Sequence, residues 1–547
     1  MVTCDIVCVG LNLILAAFLF WLAGFAEKKR SVKWRLLYLL PFLVTLVLVA
    51  IYEFETCMFG VYFGAFLLVF GMVRQEKKER CILCFVSAIF AFLSLGICLF
   101  SPGYRSYDYA ADFKSGFEEM KLHYVLSEHK SIDWDGLYEK YLPLFEEADK
   151  AHDEVEASIV WTKFAMEFQD GHVGYGIKDE KIEKMAYEKM YGNDYGLCTM
   201  KLSDGKIVAV MVEEDSQARK AGICNGSEIT AWNGEPVAKL SGTKKILSFA
   251  VEENEEFYEA LSIAGMGGET AEVCFIDEAG KEKTVTLSKI GSYHDRMMDC
   301  IEDVIDKGVE ISNLDWRRID ENTALLRMRF MNYDSEENFS EMETALREEM
   351  LTLKEEGVTN LIFDLRSNSG GSGTHVKHVL KLIAPSGEHV YAYDAVFDKE
   401  TQKYKTDGVA DDGTVTYQVG QCETYQGEDL WGHGQIVILV NANTVSAGDH
   451  FTRAASAYPN VTVMGFTHSN GSCQGVNSVN FDYGMLTYSG ALLLNEDGSV
   501  FVDTDHARKA VVPLDVKIPF DLQAVSVLFD EGEDYLLGKA MEYFEEN

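Results

Sequence analysis

The run Gln435–Asn441 (QIVILVN) restricts the fold more than any other stretch of the chain. Its β-branched residues follow one another without a polar face, the pattern of a strand buried on both sides, and such strands belong to parallel sheets covered by helices. Ala442-Asn443-Thr444-Val445 and Ser446-Ala447-Gly448-Asp449 follow, then a helical pattern through His450–Tyr458 and a second β-rich run, Val461–Gly465. A polar loop, Phe466–Gln474, comes next. Ser446 with Asp449 has the S-x-x-D form of a helix start, where a hydroxyl caps backbone N–H groups. The same strand-to-helix turn is where a nucleophile would sit, because N–H groups at a helix start can stabilise an oxyanion. On local grounds both readings stay open.

The flanking sequence repeats the alternation. Ala324–Phe330 is a strand, Phe339–Glu356 a helix with Met342, Leu346 and Met350 turned inward, and Leu361–Leu365 a second buried strand. That strand runs into Arg366-Ser367-Asn368-Ser369-Gly370-Gly371 and a helix carrying His375 and His378. Strands alternating with helices predict crossover units and a mainly parallel α/β sheet. His375 and His378 lack the i, i+4 spacing and intervening glutamate of a metalloprotease helix, and are expected on a solvated face. Upstream, residues 195–290 read as a small β-rich domain with strands at Lys206–Val212, Thr270–Phe275 and Lys283–Leu287, and a short helix at Ser216–Gly222. Residues 111–189 are helical, and the helix Glu154–Phe168 stops at Gln169-Asp170-Gly171-His172-Val173-Gly174. His172 therefore sits in a tight turn just past a helix end.

Four apolar stretches occupy the first hundred residues, near Ile6–Ala26, Leu36–Tyr52, Met58–Val73 and Cys81–Phe100. Each approaches the roughly 20 residues needed to cross a bilayer. Basic residues fall in the first loop (Lys28, Lys29, Arg30, Lys33, Arg35) and the third (Arg74, Lys77, Lys78, Arg80), which predicts both chain ends outside the cytoplasm. Residues 1–100 hold nine Lys and Arg against six Asp and Glu, so residues 101–547 carry −41 in a chain whose total is −38. So acidic a surface argues against nucleic-acid binding. Cys81 and Cys84 have CxxC spacing at the mouth of an apolar span, where packing is the ordinary role. The six cysteines beyond residue 101 show no metal-ligand spacing.

Two resemblances join these pieces. Ser216 through Ala221-Gly222-Ile223, Gly226, Ile229 and Asn233-Gly234 to Val237 resembles the PDZ domain of bacterial proteases, with Glu228 where aspartate is more usual. PDZ domains take an extended peptide as an added strand and cradle its terminal carboxylate, here at Tyr195-Gly196-Leu197. Asp364-Leu365-Arg366-x-Asn368-x-Gly370-Gly371, followed by Ser446-Ala447-Gly448-Asp449 and Gly465…Thr467…Gly471…Gln474, resembles the C-terminal processing (tail-specific) serine proteases. The resemblance implies a crotonase-like, ClpP-like α/β core, with Ser446 as nucleophile and an oxyanion hole from Ala447 and either Gly370 or Gly371. One position departs from it: most such proteases have a lysine base where this chain has Asn470, and an amide cannot take a proton. The tricorn-like branch uses instead a histidine from the helical region before the PDZ domain, oriented by a late carboxylate. Asp170-Gly171-His172 matches that branch in residue and order. Asp505 is the first choice for the carboxylate, Asp503 the reserve, and His468 a rival base.

The expected organisation is four membrane helices (1–100), a linker and helical domain carrying His172 (101–190), a PDZ-like domain (191–291), a connector (292–321) and an α/β protease core (322–547). The apolar stretches and the basic loops predict a multi-pass cell-membrane protein with its large part extracytoplasmic, and the resemblance implies that this part is a serine endopeptidase that recognises substrate C-termini and needs no cofactor or metal. Its partners would be protein or peptide substrates and the membrane, not nucleic acid. The alternative is a catalytically inactive family member that binds or senses peptides.

Overall fold

Aromatic packing builds the first described segment. The structure, a computed structural model, describes residues 108–547 apart from 246, 303–313, 332–335 and 411–412. The four apolar stretches lie outside the described residues, and among the described residues no helix is long and apolar enough to cross a membrane. Helices α1 (Tyr109–His123), α2 (Trp134–Ala151) and α3 (Glu154–Met166) enclose Phe113, Phe117, Phe145, Trp161 and Phe164, all almost completely buried. Asp133 and Asp153 cap α2 and α3 by accepting from Gly136 N at 3.0 Å and Glu156 N at 2.9 Å. Gln169, at φ +44°, breaks α3 and turns the chain into Asp170-Gly171-His172. Strand β1 (Gly174–Ile177) follows at once.

The β-rich segment comes next. Cys198–Lys201 and Ile207–Val210 form a hairpin, and a four-stranded sheet runs in the order Glu235–Pro236, Ile229–Trp232, Thr270–Ile276, Glu282–Ser288. The helix at Gln217–Ala221 is capped by Ser216, whose hydroxyl accepts from Arg219 N at 3.1 Å. Helices Glu252–Tyr258, Leu261–Ala264 and Tyr293–Glu302 pack against Cys198–Lys201.

The remaining elements are β2 (Leu314–Arg318), β3 (Thr323–Met328), α4 (Glu336–Glu355), β4 (Asn360–Asp364), α5 (Gly373–Ile383), β5 (Gln435–Leu439), α6 (Ala447–Ala455), β6 (Val461–Gly465), β7 (Gly484–Ala491), β8 (Val516–Lys517) and α7 (Tyr535–Glu546), among shorter strands. Six of them form one sheet in the order β2-β3-β4-β5-β6-β8. Only the edge pair β2/β3 is antiparallel, so the mainly parallel sheet expected from the strand-helix alternation is present. Its central strand is covered on both faces. Ile436, Ile438 and Val440 join Leu326, Phe363, Val376 and Phe451 in one core, while Val437 and Leu439 join Ile362, Leu536 and Ala540 in another. This two-sided burial is why the run carries no polar alternation. Residues 109–547 form one compact unit. Within it β1 pairs antiparallel with β7, Gly174 opposite Thr487 and Tyr175 opposite Leu486, and so draws the His172 turn onto the late part of the chain.

The buried histidine of α5 corrects an expectation. His375 is completely buried and His378 pairs with Glu343, so this face of α5 lies under α4 and not in solvent. Burial holds the His375 imidazole down near pKa 4, in its neutral form.

Candidate active site

Ser446 stands between β5 and α6 with φ +61° and ψ −119°, a left-handed backbone that costs a non-glycine residue about 1–3 kcal/mol. Its side chain makes no capping hydrogen bond, which excludes the helix-cap reading. Asp449 does not complete a capping box either. Its carboxylate accepts from Gly471 N at 3.0 Å and Ser472 N at 3.1 Å, pinning the polar loop over the turn. Burial raises the Asp449 carboxyl to about 7, against the hydrogen bonds from Ser469, Gly471 and Ser472.

The strain is held from three sides. Ser446 N donates to Ser472 O at 2.7 Å, Val445 N to Asn368 O at 2.9 Å, and the Thr444 hydroxyl to Leu365 O at 2.8 Å. The loop after β4 is fixed by charge. Asp364 accepts from Arg327 at 2.7 Å and from Arg366 at 2.8 Å, and Arg366 forks onto Asp534, the cap of α7, at 2.7 and 2.6 Å. The two guanidinium groups outweigh the cost of burial and hold the Asp364 carboxyl at about 2. Gly370, at φ +93°, lies so close to Ser446 that a Cβ there would overlap the Ser446 side chain. Its N–H is spent on Asn368 Oδ1 at 2.9 Å. Among the described residues no such bond engages the Gly371 N–H, and Ala447 opens α6, where a first-turn N–H has no partner within the helix. Of the two glycines, Gly371 is thus the one whose N–H is not already spent among the described residues.

The His172 turn reaches this loop through Ser472. Gly171 N donates to Ser472 Oγ at 2.8 Å, and a Cβ on Gly171 would overlap Asn470 and Val445. Asp170 shapes the turn by accepting from His172 N at 2.9 Å, Tyr124 OH at 3.0 Å and Ser489 OH at 2.8 Å. His172 is buried, and neither ring nitrogen has a hydrogen-bond partner among the described residues. Asp503 is buried beside it. Its Oδ2 accepts from Cys473 N at 3.0 Å and Gln474 Nε2 at 2.7 Å, while Oδ1 has no partner. Burial and then Asp170 push the Asp503 carboxyl up, to about 6, and His172 and Lys130 pull it down.

The other candidates lie elsewhere. Asp505, the first choice from sequence, is half-buried and accepts from Ala507 N at 2.8 Å at the rim of a surface pocket with His506 and Arg508. The chain is buried through Thr504 and emerges at residue 505, so the reserve residue Asp503 replaces it beside the imidazole. His468 points to the β-rich segment, with Nε2 3.8 Å from Glu253, and burial lowers its pKa. Asn470 donates to Ala442 O at 3.0 Å. At the proposed carboxylate cradle Gly196 N already donates to Asp194 at 2.8 Å, and Arg296 holds that carboxylate at 2.7 Å. Among the described residues no group of His, Cys, Asp and Glu could hold a metal ion, and the six cysteines there are free thiols. Sequence reasoning missed Tyr124, Lys130, Ser472 and Ser489, which no motif marks.

Comparison with known proteins bears on the α/β half. A search of curated proteins gives no match. Mature CPAF complexed with lactacystin is similar in structure at 13% identity, covering 80% of this chain and 99% of that one with a TM-score of 0.49. The photosystem II D1 C-terminal processing protease is similar at 16% identity over 77% of this chain and 97% of that one, TM-score 0.34. The tricorn protease is similar at 15% identity over 81% of this chain and 37% of that one, TM-score 0.34. Residues 322–506, which contain Gly371, Ser446 and Asp503 but not His172, match peptidase family S41. That segment is a peptidase family S41 domain, about a third of the chain.

Proposed function

We propose that the chain is a membrane-anchored, extracytoplasmic serine endopeptidase in which His172 is the base, Asp503 orients it, and Ala447 and Gly371 bind the oxyanion. The observation that carries this reading is the strained, uncapped Ser446 tied through Ser472 to the His172 turn. In the proposed reaction His172 takes the hydroxyl proton as Ser446 attacks a peptide carbonyl, and returns it to the leaving amine. Charge developing on the carbonyl oxygen meets the two free N–H groups, a term worth about 3–4 kcal/mol per donor in such sites. Water then resolves the acyl-enzyme. The unpaired His172 nitrogens and the unpaired Asp503 Oδ1 are complementary groups in one buried site, which supports Asp503 as the orienting carboxylate.

Two finer elements rest on sequence. The four apolar stretches and the placement of basic residues support anchoring, with the catalytic region outside the cytoplasm. A reporter fused after Arg105 should read as external, and a cytoplasmic signal would remove this element. The PDZ-like segment supports capture of substrate C-termini, provided a substrate carboxylate displaces Asp194 from Gly196. A free-acid peptide should then be cleaved faster than its amidated form, and equal turnover would count against it. The base is tested by variants: His172→Ala should abolish cleavage of a peptide substrate while His468→Ala keeps it, and the reverse would overturn the assignment.

A further inference from the structure

We propose that Lys130 is a positioning residue for the proposed reaction: its ammonium ties the His172 turn to the Asp503 segment and compensates the two buried carboxylates beside the imidazole. This rests on the reading of His172 as base. Lys130 lies in the turn after α1, is buried, and donates to Gln169 O at 3.1 Å and to Thr504 Oγ1 at 2.9 Å. Gln169 immediately precedes Asp170-Gly171-His172, and Thr504 immediately follows Asp503. One side chain therefore bridges the two segments that must meet for the base to be oriented. Its neighbour His129 adds a contact from Nε2 to Asp503 O at 3.1 Å.

The position carries a charge requirement as well. Asp170 and Asp503 are both buried, and after burial itself the Asp170 carboxylate is the main group pushing the Asp503 carboxyl up. Lys130 faces both of them, with Arg508 and Asp505 on its outer side. Asp503 is also faced by His172, by the carboxyl of Asp449, and by the neutral Tyr124 and Cys473. Burial lowers the pKa of the Lys130 ammonium, and Asp170 and then Asp503 offset part of that cost. Its ammonium hydrogen-bonds to Gln169 O and Thr504 Oγ1, and among the described residues no hydrogen bond joins it to Ser446.

The test is the pH profile of kcat/KM for the full-length protein on a peptide substrate. Lys130→Met should lower the plateau at least tenfold through kcat, with KM unchanged. It should also move the acid limb up by about 1 pH unit, because an uncompensated carboxylate pair holds its proton longer. Lys130→Arg, which keeps the charge, should leave the limb at the wild-type pH. If Lys130→Met does not fold, Lys130→Gln is measured in its place, since it keeps a donor for Gln169 O without the charge. A Met or Gln variant whose limb stays at the wild-type pH would overturn the proposal, as would an Arg variant whose limb shifts as far as theirs. Failure of the base reading looks different: His172→Ala would then retain the wild-type rate and limb.

Discussion

The Ser446 turn, proposed as nucleophile, and the His172 turn, proposed as base, are built by opposite means. Ser446 is held by hydrogen bonds among three loops of one sheet, anchored by the Asp364–Arg366–Asp534 network, and its strained geometry is complete. His172 comes from a turn more than 270 residues earlier, delivered by the β1/β7 pair and the Ser472 contact, and its ring is still unpaired. A sheet can store strain at one point because many short contacts over-determine it. A base imported from another segment depends on a few long-range contacts, each of which can be removed singly.

The largest effects should come from the reacting groups. Ser446→Ala and His172→Ala should each lower kcat by about 10⁴-fold or more, measured on a peptide substrate with folding checked by circular dichroism. Gly370→Ala should come close behind, since it forces a side chain into Ser446 at φ +93°; a loss of about 10²-fold or more is expected on the nucleophile side alone. Asp503→Asn and Asp505→Asn separate the two late carboxylates. The first should cost on the order of 10³-fold in kcat and the second less than about threefold, and equal effects would erase the distinction drawn between them.

The anchoring network predicts a stability effect instead. Asp534→Ala removes one of the two carboxylates paired with the buried Arg366 and should lower unfolding free energy by about 3 kcal/mol, read from denaturant midpoints. A wild-type midpoint would mean that the nucleophile loop is not held by charge. The buried carboxyls predict a pH dependence of stability as well. Asp449 and Asp503 are raised to about 7 and about 6, so between the unfolded carboxylate range and those values the folded chain holds more protons than the unfolded one. Stability should therefore fall as pH rises from about 4 to 7. Asp364 and Glu343, depressed to about 2, act with the opposite sign, and their contribution is lost as pH falls from about 4 to 2. A thermal midpoint that rises from pH 5 to pH 7 would contradict the buried-acid account.

What the sequence revealed follows the same division. The parallel sheet, the helix α6 and the loop Gly370-Gly371 were legible because local runs and spacing encode them, and β6 begins and ends where its apolar run does. The cap reading of Ser446 was not decidable locally, since a cap and a nucleophile occupy the same turn and only φ separates them. Asp503 and Asp505 look alike in sequence, and their roles diverge because the chain leaves the core between them. His375 was misread because local spacing does not show which helix packs over its face, here α4. Lys130 and Ser472 carry no motif, because their partners are single backbone groups brought close by the fold.

The central claim is that His172 activates Ser446, and labelling by a serine-directed fluorophosphonate tests it most directly. The account predicts rapid labelling of the wild-type protein, none of Ser446→Ala, and labelling of His172→Ala slowed by several orders of magnitude. Wild-type labelling that persists at full rate in His172→Ala would contradict the assigned base, and wild-type protein that takes up no label at Ser446 would contradict the account as a whole.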